Sequence, residues 1–433
     1  MIEPVIKVGI LADTRVSFSL EGVYRCRGKE YSGLYQCTLV DDKIFIGDEW
    51  LAEWLLEPLD SSSVFELHNV AIGIDFHWER RETQRFSGAL QLVPEKGKIR
   101  VVNRISTEEY LLSVISSEMS ANASLELLKA HAVISRSWLL YPILYPETTV
   151  STCSACKSDD SHVSKWYERD AHVHFDVCAD DHCQRYQGQT KASTQQVQEA
   201  IDQTRGRVLM YDNRICDARY YKACGGATEK FSSCWAETDF DYLQPVRDWD
   251  ADTRFPDLTN EDNAREWILS SPPAFCNTDD GAVLAQVLNN FDQETTDFYR
   301  WKISYTQAEL TDLLLRKSGI DFGSVVKLEA VERGPSGRII QLKITGTLQT
   351  VTVGKELEIR KWLSESHLYS SAFVVEMVPG DSATPEAFRI YGAGWGHGVG
   401  LCQIGAAVMG EKGYSYQQIL THYFSHAEIT KIY

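Results

Sequence analysis

The sequence predicts an α+β protein: a β-rich core, a central helical pair, and a helical accessory region. Three observations predict it. Residues 1–104 read as a run of short alternating strands separated by turn residues. Residues 107–138 carry apolar side chains at helical spacing in two blocks. Residues 241–323 hold further helical segments, after which strand patterns return through 324–433.

In order, strands are expected at Val5–Leu11, Arg15–Leu20, Tyr31–Leu39, Lys43–Ile46, Ala71–Phe76, Arg85–Val93 and Lys98–Ile105. The helical pair follows. Leu111, Leu112, Ile115 and Met119 share a face of the first helix, with Glu108 and Glu109 at its positive end. A turn at 120–123 leads to Ser124, an N-cap residue, and a second helix carrying Leu125, Leu128 and Ala132 that Tyr141-Pro142 should end. Beyond a polar segment at 146–190, a helix is expected at Gln195–Thr204 and a hairpin around Asp212-Asn213. Helices are then expected at Asn260–Leu269, Gly281–Asn290 and Gln307–Arg316. Strands follow at Val325–Val331, Ile339–Thr345, Val351–Val353, Phe373–Val378 and Phe388–Tyr391, with a short helix at Lys355–Leu363 and a last one near Tyr416–Phe424. The expected division is 1–104, 105–240, 241–323 and 324–433.

A chain of 433 residues supports two to three domains, and a net charge of −18 argues against nucleic acid and anionic membrane surfaces as partners. The 11 Trp and 20 Tyr hint at stacking on sugar rings. No apolar run is long enough for a membrane span. The first residues read as a strand rather than a signal peptide, so the expected location is the cytoplasm, or outside it if an export signal was removed.

Four constellations carry chemistry. Glu118 closes the first helix, where the dipole disfavours a carboxylate. It is either a solvated helix-end residue or a general acid kept protonated by its position. Arg136, eighteen residues later, either ties the helices together or reaches the same cleft to hold a carboxylate or an N-acetyl carbonyl. His131 on a mostly apolar face reads as a core histidine. Tyr221 precedes Cys224-Gly225-Gly226, a turn or a close backbone approach to a ligand. In the segment from Gly392 to Gly405, glycines at alternate positions 392–400 allow close approach to a sugar or to another segment, with Trp395 and His397 projecting from it. Its spacing is not that of a phosphate loop, so no nucleotide is expected. Finally, His172, Cys178 and Cys183, with His174 between them, suit a structural zinc site, a disulfide or free thiols. Cys153-x-x-Cys156 and Cys224-x9-Cys234 are further close pairs.

Taken together, these segments resemble the SpoIID/LytB family. The resemblance rests on Tyr110-Leu-Leu-x-Val114-x3-Glu118-Met119, Leu128-Lys-Ala-x-Ala132-x3-Arg136, Cys183-Gln-x-Tyr186-x-Gly188, Thr204-Arg-Gly206, Cys224-Gly-Gly-x-Thr228-Glu229 and Gly394-Trp-Gly-His397-Gly-Val-Gly-Leu-x-Gln403. It implies a lytic transglycosylase acting on peptidoglycan glycan strands or muropeptides, or a non-catalytic amidase enhancer of the same family. On that resemblance Glu118 is the catalytic acid; Arg136, Tyr221, His397 and Gln403 are cleft residues, with Trp395 beside them; and His172, Cys178 and Cys183 hold zinc. An ion pair between Arg136 and Glu118 would oppose the mechanism. The tyrosine assignment departs from the family pattern, because the segment reads YYKACGG.

Overall fold

The structure is a computed structural model that describes residues 2–72, 80–120, 123–146, 156–159, 161–167, 172–180, 183–190, 194–250, 256–287, 296–380 and 384–433. It is an α+β fold, as the sequence patterns predict.

Among the described residues, ten strands fill the first quarter of the chain: β1 (Val5–Asp13), β2 (Arg15–Cys26), β3 (Lys29–Val40), β4 (Lys43–Ile46), β5 (Glu49–Leu51), β6 (Trp54–Pro58), β7 (Val64–Ile72), β8 (Arg80–Phe86), β9 (Ala89–Glu95) and β10 (Lys98–Ser106). They make one large sheet in which β1 pairs antiparallel with β10 and, on its other side, parallel with Val177–Cys178. Alternate residues such as Ile99, Val101 and Ile105 are buried, as the period-2 pattern requires. The strand expected at Arg85–Val93 is two strands broken at Ser87-Gly88. Only its start distinguishes the strand expected at Ala71–Phe76, since the rest lies outside the described residues.

From β10 the chain enters α1 (Thr107–Glu118) directly, with Ser106 as N-cap accepting the Glu109 amide. Ser124 caps α2 (Leu125–Leu144) in the same way. Pro142 does not end this helix at once; it forfeits one intrahelical hydrogen bond, and the helix runs only two residues further, to Leu144. The face Leu127, Leu128, Ile134 and Leu139 of α2 is fully buried in the principal core, which also takes in Leu111, Val114 and Ile115 of α1. The hairpin around Asp212-Asn213 forms as expected, both residues having positive φ, and Arg207–Tyr211 is joined on its other edge by Glu428–Lys431.

A second core gathers Trp301, Leu310, Leu314 and Phe322 with Val325, Ile339, Ile344 and Ile359. Its sheets are Val325–Arg333, Ile339–Gly346 and Thr350–Gly354 in one, and Arg300–Thr306, Ala387–Ala393 and Phe373–Val378 in the other. The strand at Arg300–Thr306 was not expected, and it ties residues 300–322 to this core rather than to a helical region ending at 323.

Candidate functional site

Glu118 is the last residue of α1, and its side chain is half-buried. Its Oε1 accepts the backbone N–H of Arg185 at 3.2 Å. That contact belongs to a strap, residues 183–187, that lies across both helices. The Tyr110 hydroxyl donates to Gln184 Oε1 (3.2 Å), Gln184 Nε2 donates to the Ser135 carbonyl (3.4 Å), and the Gln187 amide donates to Ser113 Oγ (3.1 Å). Tyr110 and Tyr186 stack at 5.1 Å. The strap therefore fixes the backbone beside Glu118 from α1 on one side and α2 on the other.

The strap begins at Cys183, and there the local spacing predicted a metal site. His172, Cys178 and Cys183 do converge, with their ligand atoms within 4.8 Å of one another. His172 Nε2 lies 3.5 Å from Cys183 Sγ, and the Cys178 amide donates to that same sulfur at 3.4 Å. Two sulfurs and an imidazole within this span fit a zinc ion, with one position left for a further ligand. His174 is not in the group. A cavity of about 420 Å³ opens beside it, lined by Gly9, Asn69, Arg100, His172, Phe175 and Cys178 among others. Cys153 lies outside the described residues, as does the side chain of Cys156.

The remaining candidates cluster on a two-stranded parallel ladder that joins Tyr220–Tyr221 to Leu401–Cys402. Gln403 is buried, and its Nε2 donates to His131 Nε2 at 3.2 Å. The His131 proton therefore sits on Nδ1 and points at Ser135 Oγ, 3.1 Å away. Burial, with Lys222 adding to it, pushes His131 down to about 3, so the ring is neutral. This confirms the reading of His131 as a core histidine and makes it the partner that holds Gln403.

His397 is half-buried and stands between Tyr221 (5.1 Å) and Trp235 (4.8 Å). Its Nδ1 accepts the Val399 amide at 3.1 Å, which leaves Nε2 to donate to the Tyr220 carbonyl at 3.1 Å. Burial, then the charges of Arg219, Arg338 and Arg360, push its pKa well below the usual range. Tyr221 is 5% exposed, its hydroxyl has no hydrogen-bond partner among the described residues, and burial holds the phenol well above its ordinary value. Trp395 is half-buried, stacks on Phe298 at 4.8 Å, and exchanges both backbone hydrogen bonds with Ala223.

The glycines do provide close approach, and what they approach is protein. A side chain at Gly394 would strike Cys224, one at Gly396 would strike Tyr221, and one at Gly398 would strike the Arg338 guanidinium. All three have positive φ.

Arg136 is not with them. It is fully buried, and its Nε and Nη2 grip both oxygens of Glu108 at 2.9 and 2.6 Å. Nη1 donates to the Arg207 carbonyl at 2.9 Å. With its donors spent and no surface exposed, it ties α1 to α2 and to the Arg207–Tyr211 strand; the cleft role expected of it is replaced by a structural one. Sequence spacing hid the partner, because Glu108 reads simply as an acidic residue at a helix N-terminus. The close pair Cys224-x9-Cys234 is likewise not formed: Cys224 faces Cys276, and Cys234 donates to the His397 carbonyl.

The family described as Stage II sporulation protein (SpoIID) matches residues 95–211, the span from β9 through both helices and the strap. Over this span the chain is similar to the SpoIID/LytB family. A domain of unknown function, DUF8618, matches residues 229–400. Stage II sporulation protein D of Bacillus subtilis is 23% identical over 336 residues, covering 76% of this chain and 76% of that protein. The amidase enhancer of the same organism is 28% identical over 340 residues, which cover 74% of this chain but only 40% of the enhancer. An uncharacterized protein of Brachyspira hyodysenteriae is 24% identical over 79% of this chain and 72% of its own length. Among the described residues, no helix is long and apolar enough to cross a membrane.

Proposed function

We propose that this SpoIID/LytB chain is a lytic transglycosylase that cuts the glycan strands or muropeptides of peptidoglycan. The family and the sporulation protein and amidase enhancer among its relatives support a cell-wall-related role. The observation that carries the finer reading is the setting of Glu118: a half-buried carboxyl at a helix end that accepts the Arg185 amide, while Arg136 grips Glu108. The arginine expected to threaten its protonation is spent on Glu108 instead.

One carboxyl group suffices for this chemistry. Protonated Glu118 gives its proton to the glycosidic oxygen between N-acetylmuramic acid and N-acetylglucosamine as the bond from that oxygen to C1 breaks. The carboxylate then takes the proton of the muramoyl O6 hydroxyl as O6 bonds to C1. A 1,6-anhydro end forms, no water is consumed, and Glu118 is protonated again. A hydrolase would instead use two carboxylates and water.

The decisive experiment is mass spectrometry of products from purified glycan strands. The wild type should release 1,6-anhydro ends, and Glu118→Gln, folded, should release none. Products carrying an added water would replace this reading with hydrolysis. The amidase enhancer among the relatives favours one rival, glycan binding without cleavage. That rival holds if both proteins bind strands equally and neither yields anhydro products.

A further inference from the structure

Eleven cysteines are many for one chain, and Cys178 and Cys183 account for two of them. Three others meet in the interior. Cys224, Cys276 and Cys402 bring their sulfurs together with a carboxylate oxygen of Asp248, all four donor atoms lying within 4.8 Å of one another. None of these residues is more than 2% exposed. Cys224 is 52 residues from Cys276 and 178 from Cys402, so no sequence spacing announces the group.

We infer that Cys224, Asp248, Cys276 and Cys402 form a second, closed zinc centre, separate from His172, Cys178 and Cys183. Three arguments support it. The first is geometric. A tetrahedral zinc with Zn–S bonds of about 2.3 Å holds its sulfurs roughly 3.8 Å apart. Cys224 and Cys276 sulfurs stand at 3.3 Å, nearer that edge length than the roughly 2.0 Å of a disulfide.

The second concerns what surrounds the donors. Cys224 Sγ accepts the Gly226 amide at 3.3 Å, and Cys402 Sγ accepts those of Cys224 and Gly405 at 3.2 and 3.5 Å. Such N–H groups spread the charge of metal-bound thiolates. Asp248 is anchored in the same manner: Oδ1 accepts the Tyr423 hydroxyl at 2.6 Å and Oδ2 the Cys276 amide at 2.8 Å. Neither of these partners is a cation. A fully buried carboxylate is costly without one, and a metal among the sulfurs supplies it.

The third is charge. Zinc with three thiolates and a carboxylate carries a net charge of −2, and two guanidiniums back the turn that bears Cys224. Arg338 donates to the Cys224 carbonyl at 3.3 Å and Arg300 to the Gly225 carbonyl at 3.1 Å. Three soft donors with one hard oxygen favour zinc over copper(I), and four protein ligands leave no position for substrate, so the role is structural. Cys402 is also the N-cap of the helix Gln403–Glu411, so the metal would fix the start of that helix and with it Gln403.

The test separates the two centres. The full chain with Cys178→Ser and Cys183→Ser, produced with zinc and dialysed against a mild chelator, should keep one zinc per chain. X-ray absorption should give that zinc a shell of three sulfurs and one oxygen. Adding Cys276→Ala should remove the metal. Wild-type protein, which does not depend on any variant folding, should hold two zinc ions per chain. A wild type that binds no zinc, or a double variant that keeps none, would overturn the assignment. So would a sulfur-poor shell in the double variant, or a Cys224–Cys276 disulfide in a non-reducing peptide map.

Discussion

Arg136 and Glu108, 28 residues apart, form a two-pronged ion pair across the α1–α2 hairpin, with the guanidinium wholly buried and the carboxylate nearly so. Removing one member of such a pair leaves the other charge stranded, at a cost of about 3–5 kcal/mol. Arg136→Met should therefore lower the urea midpoint strongly. Loss of activity in an Arg136 variant whose midpoint is unchanged would return this residue to the cleft.

The same pair sets an acid limit. Burial raises the Glu108 pKa, but the Arg136 charge and hydrogen bonds, the Tyr433 hydroxyl and the Gly206 amide outweigh it and leave it below 4.5. A depressed carboxylate stabilises the fold fully above its unfolded value, and the contribution drains away as pH falls through the folded value. The stability gap between wild type and Glu108→Gln should be widest near about pH 7 and should close at strongly acid pH. A gap that grows on acidification would reverse the sign and refute the pairing.

Gln403 should behave as a supporting residue. Gln403→Leu strips His131 Nε2 of its donor and should cost about 1–3 kcal/mol. In a glycan-cleavage assay the loss should appear as lower thermal stability with KM little changed. A raised KM at unchanged melting temperature would make Gln403 a substrate ligand after all.

His131, neutral with a pKa of about 3 against an ordinary 6.5, stabilises the fold above 6.5 and loses that contribution as pH falls toward the lower value. His131→Asn should accordingly flatten the decline in stability across this window, as read by melting temperature against pH. An unaltered slope would count against the buried neutral ring.

Two glycines separate strain from collision. Gly400 and Gly413 have φ of 83° and 86°, so alanine costs about 1–3 kcal/mol of backbone strain at either site. A side chain at Gly400 also runs into the Arg219 carbonyl, whereas at Gly413 it meets open space. Gly400→Ala should be clearly the more destabilising in parallel urea titrations; equal losses would mean the loop yields.

Features written in adjacent residues were legible. The α1–α2 pair was visible from apolar spacing and the capping Ser124, the hairpin from Asp212-Asn213, and the triad of His172, Cys178 and Cys183 from its spacing. Features that depend on distant partners were not. Glu108 gave no sign that it meets Arg136, and Cys402 none that it meets Cys276, since only the folded chain brings them together. The strand Arg300–Thr306 escaped because it runs straight into a helix without a turn residue to mark it. The alternating glycines predicted close approach correctly but not its object.

The strand Glu428–Lys431 lies against Arg207–Tyr211, and the Tyr433 hydroxyl reaches Glu108 at 2.6 Å across 325 residues of sequence. The ion pair at the heart of the SpoIID match is thus sealed by residues far outside 95–211. Cut out alone, the stretch that matches the family would lose this cover and open the Glu108–Arg136 pair to water.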